Sequence, residues 1–325
     1  MEPLRIVFMG TPPFSVPSLQ RLLAEGYDVA AVYTQPDRPA GRSGSPTASS
    51  VKQAALRHGL RVVQPRSFRR REDQAALDEV APDLLVVAAY GLILPQAVLD
   101  IPRKGGLNVH PSLLPRHRGA SPVAGVLLAG DPMTGVSIML MDAGMDTGPV
   151  LSRRTVPVGP DDNAGTLTAR LADVGQDLLA ETIPRWWTGE LAPTAQDGAE
   201  ATYTRMLTKA DAGIDWSLPA ESIARRVRAY RPWPGSASRW QGRRLEVLEA
   251  YAVPAGEIGP MPAEPGTLFQ RPEKRHEILV ATGDGALSLR RVQLEGRRPL
   301  LVRDFLAGAR GFAGGRLEPL EAEGV

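Results

Sequence analysis

No cysteine occurs anywhere in the 325 residues. That excludes disulfides, thiol nucleophiles and cysteine-ligated zinc or iron–sulfur centres, and it suits a reducing compartment. Histidine is nearly as scarce, with four, and His110 and His117 have no glutamate at the HExxH spacing of a zinc hydrolase, so no metal is expected. Long apolar runs are missing as well. The start, MEPLRIVFMGTPPF, has no basic region followed by an uninterrupted apolar stretch, and no later run reaches membrane-spanning length. The expectation is a cytoplasmic protein with no membrane contact. There is no Walker sequence, and the glycines of Gly308 to Gly315 do not follow a strand and open a helix as a dinucleotide fingerprint would. No permanently bound cofactor is therefore expected.

What is present is the composition of a globular protein, 43% hydrophobic and 23% charged, at a length that suits two domains. The net charge of +2 hides an asymmetry: from Arg205 onward 19 Lys plus Arg stand against 15 Asp plus Glu, so this part carries +4 and the rest −2. A polyanion such as RNA would be drawn to that end, although a solvated arginine-rich surface fits the same numbers.

Short apolar runs at Leu4–Met9, Val29–Tyr33, Leu84–Ala89, Leu107–His110 and Val136–Met141 read as strands buried on both faces. Helical spacing lies between them at Pro17–Ala24, Ser50–Arg57, Asp73–Val80 and Ser121–Leu128. This βαβ rhythm predicts an α/β fold with a doubly wound parallel sheet, Rossmann-like, closed by a helix from about Leu167 to Trp187. The expected division is a domain over 1–188, a linker over 189–204 and a C-terminal domain over 205–325. The last part has one short helix, Glu221–Ala229. Strands follow at Ser238–Trp240, Leu245–Ala252, Gly266–Phe269, Glu277–Ala281 and Ala286–Gln293, which suggests a smaller β-barrel of the OB-like kind.

Ligands of such sheets lie beyond the carboxyl ends of the strands, which directs attention to Gly10-Thr11-Pro12, Tyr90-Gly91-Leu92 and Asn108-Val109-His110. Residues two apart on a strand share a face, so Asn108 and His110 would point at one spot, an amide donor beside a proton-transfer group. That pairing suits acyl transfer, though both side chains could simply hydrogen-bond the turn before Pro111. A glycine-rich loop, Met141 to Gly148, carries Asp142 and Asp146; either could orient a histidine or only form an Asx turn. His58 reads as the end of a helix, His276 as part of a charged turn, and Trp233 and Trp240 as core residues, with stacking on nucleic-acid bases the alternative.

The segments Phe8–Pro12, Thr34–Arg42, Ala89–Pro95, Asn108–Pro115 and Asp142–Gly148, followed by Ile214–Ser217 and Arg228–Gly235, resemble the methionyl-tRNA formyltransferases over nearly the whole chain. The resemblance implies a donor, 10-formyltetrahydrofolate, used as co-substrate, and an acceptor, the amino group of methionine on initiator tRNA. It also implies direct amine attack through a tetrahedral intermediate, in a protein read as a monomer. Asn108 would stabilise the oxyanion, His110 would take the amine's proton or reinforce the oxyanion contact, and Asp146 would orient His110. Folate would lie along Tyr90, Gly91, Leu92, Ile93 and Leu94, along Ser112, Leu113, Leu114 and Pro115, and beside Asp142. Phe14 matches a position near the methionine side chain, and the resemblance implies that the loop carrying Arg38 and Arg42 would contact tRNA, although both could be solvated loop charges. Arg225, Arg226 and Arg228 form a basic helix face that could track phosphates or merely be solvated. Departures from the family pattern are Pro13, Pro111, His117, Ala124 and a lysine-poor 43–50 segment. The competing expectations are a formyltransferase acting on a sugar amine or a purine precursor, a hydrolase passing formyl to water, and an RNA-binding protein that keeps an inactive transferase fold.

Overall fold

The structure, a computed structural model, describes residues 4–39, 46–271 and 274–320. Arg42 lies outside the described residues. The chain divides into two compact units, one of Met1–Pro122, Pro132–Val158 and Thr168–Thr204, the other of Val123–Asp131, Gly159–Leu167 and Arg205–Val325.

In chain order the first elements are β1 (Arg5–Gly10), α1 (Val16–Ala24), β2 (Asp28–Tyr33) and the two-residue strands β3 (Arg38–Pro39) and β4 (Pro46–Thr47). Next come α2 (Ser50–Arg57), β5 (Val62–Val63), α3 (Arg71–Asp78), β6 (Leu84–Ala88), α4 (Gln96–Leu99) and β7 (Gly106–His110). They are followed by β8 (Arg118–Gly119), α5 (Pro122–Ala129), β9 (Met133–Leu140), β10 (Val150–Pro157), α6 (Ala164–Trp187) and β11 (Tyr203–Thr204).

Seven strands form one sheet in the order β10-β9-β7-β6-β1-β2-β5. The pairs from β5 through β7 are parallel, and their apolar runs are buried on both faces, Ile6 to Met9 being fully enclosed. The chain winds outward from β1 to β2 and β5, then returns to β6 on the other side of β1. The switch point therefore falls between the carboxyl ends of β1 and β6, where such sheets hold ligands. Thr11 Oγ1 donates to the Tyr90 carbonyl across that gap at 2.8 Å.

One edge adds antiparallel pairs to the parallel part of the sheet. β9 runs antiparallel to β7, and β10, which no apolar run announced, pairs antiparallel with β9. For β9 and β10 the physical reason is their link: the short 141–149 loop can join a hairpin but cannot make the crossover that a parallel pair needs. α6 packs on this part of the sheet through Gly175, where a Cβ would come within 2.9 Å of Val109 Cγ1. The helix is thus seated against the strand that carries Asn108 and His110. His58 caps the end of α2, as expected.

The segment expected to be a linker is not free chain. Thr194 pairs with Val150, and β11 pairs parallel with β8. Both contacts tie it back to the first unit.

The second unit contains α7 (Ala220–Ala229), β12 (Ala237–Trp240), β13 (Arg243–Val253), β14 (Leu268–Arg271), β15 (Lys274–Ala281), β16 (Ala286–Leu294), β17 (Leu300–Leu301) and α8 (Val302–Leu306). The main path of its sheet is β12-β13-β16-β15-β14, antiparallel throughout. The last described stretch bridges both edges: Arg239 N donates to the Glu318 carbonyl at 2.8 Å, and Leu317 N donates to the Gly266 carbonyl at 2.8 Å. Pairing both edges with one strap closes the sheet into a small barrel.

Ile223 and Val227, four apart on α7, are buried in its core beside Leu245, Val280 and Val292. Trp240, Phe305 and Phe312 pack edge-on at 5.0 to 5.8 Å between ring centres. Two sequence expectations fail here. Trp233 is not core but 53% exposed, because it lies in the Pro-rich turn after α7 rather than on a strand. His276 belongs to β15 instead of a turn. Among the described residues no helix is long and apolar enough to cross a membrane.

Candidate active site

β7 carries two polar side chains into the carboxyl edge of the sheet. It lies between β6 and β9, with Asn108 opposite Val87 and Met139, and His110 opposite Ser137. Strand alternation puts Asn108 and His110 on one side, and the 141–149 loop brings Asp146 to them. Asn108 Nδ2 is 3.5 Å from Asp146 Oδ1, and His110 Nδ1 is 3.7 Å from Asp146 Oδ2. Both separations are at the long end for hydrogen bonds. Asp146 holds a left-handed backbone, φ +54°, a conformation that Asp and Asn tolerate better than most residues. Its Oδ2, the oxygen nearest His110, accepts the Gly119 N–H at 2.7 Å, which fixes the carboxylate in place.

His110 is 3% exposed. Its Nε2 lies 3.1 Å from the main-chain carbonyl of His117. A carbonyl only accepts, so Nε2 carries the proton, and the lone pair of the neutral ring is on Nδ1, the nitrogen facing Asp146. Burial holds His110 below its ordinary value of 6.5, while the Asp146 carboxylate and the His117 carbonyl work in the opposite direction. The ring is therefore neutral at neutral pH, with a basic nitrogen beside a negative charge ready to stabilise the imidazolium.

The turn after β7 is held from below by Ser137, whose hydroxyl donates to the Ser112 carbonyl at 2.8 Å and accepts the Leu114 N–H at 3.1 Å. Ser112 Oγ closes the same turn onto the Arg116 carbonyl at 2.6 Å. His117, at φ +59°, then aims its carbonyl back at His110.

A strand-borne amide, a buried neutral imidazole and a carboxylate beside it are groups whose chemistry suits passing an acyl unit to an amine. Residues 4–183 match the formyl transferase family, and residues 206–310 match the formyl transferase C-terminal domain. The chain is 49% identical over 314 residues to the methionyl-tRNA formyltransferase of Dehalococcoides mccartyi strain 195, covering 97% of this chain and 98% of that protein. It is 47% identical over 314 residues to the methionyl-tRNA formyltransferase of Thiobacillus denitrificans, covering 97% and 99%. The chain belongs to the methionyl-tRNA formyltransferase family.

Solved structures agree on the fold. An N-formyltransferase from Helicobacter canadensis, crystallised with folinic acid and dTDP-3-aminofucose, superposes with a TM-score of 0.64 at 16% identity, over 88% of this chain and 98% of that one. A sugar 3N-formyl transferase, in the presence of dTDP and 5-N-formyl-THF, gives 0.66 at 16% identity, over 92% and 100%.

The other residues expected at the family's site divide by where their side chains go. Tyr90 and Leu94 are buried in the cluster that contains Tyr33, Phe68 and Val98. Burial raises the Tyr90 hydroxyl's pKa, so this side chain is part of the core, and what the 90–94 segment offers a ligand is backbone and the 87% exposed Ile93. Gly91 has φ +81° and Leu92 is half-buried. Leu114 is buried and Leu113 half-buried, ahead of a cis peptide bond to Pro115.

Asp142 accepts the Gly144 N–H at 3.1 Å and the Thr147 hydroxyl at 2.8 Å. Its carboxylate thus shapes the loop that presents Asp146, which is the Asx-turn reading of that residue. Phe14 is buried in the turn that follows β1. Arg38 is exposed on the β3–β4 hairpin.

On α7, Arg225 is committed locally: it pairs with Glu221 at 2.9 Å and donates to the Ala129 carbonyl at 3.1 Å. Arg226 and Arg228 are half-buried. Among the described residues no group of three or more His, Asp or Glu is placed to hold a metal.

Sequence reasoning missed Ser137, Gly119 as the donor to Asp146, and Gln196, whose amide reaches the Asp146 loop. Ser137 carried a weak signal, a hydroxyl inside an apolar strand. Gln196 carried none, being one polar residue in a polar stretch.

Proposed function

We propose that this chain transfers the formyl group of 10-formyltetrahydrofolate to the amino group of methionine on initiator tRNA. The observation that carries the reading is the convergence of Asn108, His110 and Asp146 at the carboxyl edge of a sheet whose switch point lies one strand away. Membership of the family supplies the substrate class.

In this reading the amine nitrogen attacks the formyl carbon and the carbonyl electrons move onto oxygen. Asn108 donates its amide hydrogen to that oxyanion. His110 accepts the amine's proton on Nδ1, and Asp146 stabilises the resulting imidazolium. As the intermediate collapses, the carbon–nitrogen bond to the folate breaks, and His110 returns the proton to the departing nitrogen. The products are a formamide and tetrahydrofolate, and the ring is neutral again. Because neutral His110 spends its only N–H on the His117 carbonyl, proton acceptance fits the geometry better than donation to the oxyanion.

The 90–94 and 112–115 segments, beside the switch point, are the proposed folate-binding elements, with Asp142 shaping the third. Phe14 is proposed to lie near the methionine side chain. Arg38 and Arg42 are the proposed tRNA contacts of the first domain, and Arg226 and Arg228 those of the second. Arg225 is better explained as a helix-terminal tie. The protein is proposed to act as a cytoplasmic monomer.

Transfer of labelled formyl from 10-formyltetrahydrofolate tests the reading, with methionine-charged initiator tRNA, uncharged initiator tRNA and methionine-charged elongator tRNA compared. Label only on the charged initiator is the expected result. Release as formate, or acceptance by an amino sugar alone, would assign the site to another formyl acceptor.

A further inference from the structure

A side chain of the 189–204 segment reaches the active-site loop. Gln196 Nε2 donates to the carbonyl of Asp146 at 2.8 Å and to the carbonyl of Gly148 at 2.6 Å. Its Oε1 accepts from both Nε and Nη2 of Arg118, at 3.1 and 2.8 Å. One amide thus makes four hydrogen bonds. Only glutamine combines this reach with two donors and an acceptor at its tip.

Arg118 is 4% exposed. Among the described residues its guanidinium faces no carboxylate, only the Gln196 oxygen and Tyr203, whose hydroxyl it meets at 3.2 Å and whose ring it overlies at 5.8 Å. A buried cation pulling on the amide oxygen makes the amide hydrogens stronger donors to the two loop carbonyls.

The same two-residue strand, β8, grips Asp146 a second time, because the N–H of Gly119 donates to its carboxylate. Gly148 fixes the far side of the loop: a Cβ there would collide with the Leu140 carbonyl oxygen, so the chain passes tightly under β9.

We propose that Gln196, backed by Arg118, is a positioning residue for Asp146: it holds the 146–148 main chain so that the carboxylate stays at its distance from His110. This rests on the reading of Asp146 as the partner of His110. The chain between the domains is then a structural part of the active site and not a passive tether.

The test compares Gln196→Met, which keeps length and loses all four bonds, with Gln196→Glu, which keeps the Arg118 contact and loses both donors. Each is made alone and with Asp146→Asn. Both single variants are expected to lower kcat by about 10- to 100-fold, as small displacements of catalytic groups do, with KM for folate and for tRNA within about threefold. In the double variants turnover is expected to be no lower than in Asp146→Asn alone, since the lost function is the same one. If Gln196→Met does not fold, Gln196→Glu carries the comparison, and there Arg118 remains paired.

Unchanged kcat in Gln196→Glu, or losses that multiply in the double variants, would overturn the role of Gln196 while leaving the site intact. Normal turnover in Asp146→Asn would instead remove the reading of the site itself.

Discussion

Replacing Asp146 by Asn isolates its charge from its shape. Asn is nearly isosteric and tolerates the left-handed backbone at φ +54°, and it can still accept the Gly119 N–H, so the loop should keep its course. What disappears is the negative charge 3.7 Å from His110 Nδ1. At an effective dielectric of about 20, two unit charges at such a distance interact by about 4 kcal/mol. That is the ceiling on what the carboxylate adds once the imidazolium is fully formed. A transition state with partial proton transfer feels part of it, so about 3 kcal/mol, or a fall in kcat of about 100-fold, is expected.

The assay is single-turnover formyl transfer with saturating folate and charged initiator tRNA, which separates the chemical step from binding. Asp146→Ala should lose as much turnover and also about 1 to 2 kcal/mol of stability, because alanine pays the left-handed cost without an acceptor for Gly119. Turnover of Asp146→Asn within about threefold of the parent would refute the electrostatic role and, with it, the proposed path of the proton.

Further outcomes follow from the same geometry. His110 is held neutral by burial, so its folded-state pKa lies below 6.5; the unfolded chain then binds the extra proton first, and stability should fall as pH drops below 6.5. Urea titrations above and below that value should show a shallower loss in His110→Gln. Arg38→Ala should weaken tRNA binding and reduce the slope of log affinity against log salt by about 0.7 to 0.9, leaving the KM for folate unchanged. Arg225→Ala should leave that slope alone and lower thermal stability by about 1 kcal/mol, since its partners are Glu221 and the Ala129 carbonyl. Phe312→Ala, which removes a fully buried ring from the barrel's aromatic cluster, should cost about 3 to 5 kcal/mol in chemical denaturation.

Much of this arrangement was legible in the chain itself. Continuous apolar runs such as Ile6 to Met9 mark strands buried on both faces, and the two-residue spacing of Asn108 and His110 already placed both on one side of a strand. Such patterns are local: side-chain alternation and burial act over a few residues, and composition records them directly. The antiparallel edge was less visible. β10 reads as a polar segment, with Ser152, Arg153 and Arg154 in its middle, because an edge strand need bury only one face.

The sequence by itself determined the fold class, the strand that bears the imidazole and, through its motifs, the family. Tertiary structure alone decided which nitrogen of His110 is free, because that depends on the His117 carbonyl turning back toward the ring. It also decided that Trp233 is exposed, that Arg225 is tied to a neighbouring helix end, and that residues 315–318 close the barrel. The grip of Gln196 and Arg118 on the Asp146 loop joins residues 50 and 78 positions apart. A hydrogen bond depends on positions to within a few tenths of an ångström, and between residues so distant in the chain those positions exist only once the whole sheet and its loops have packed.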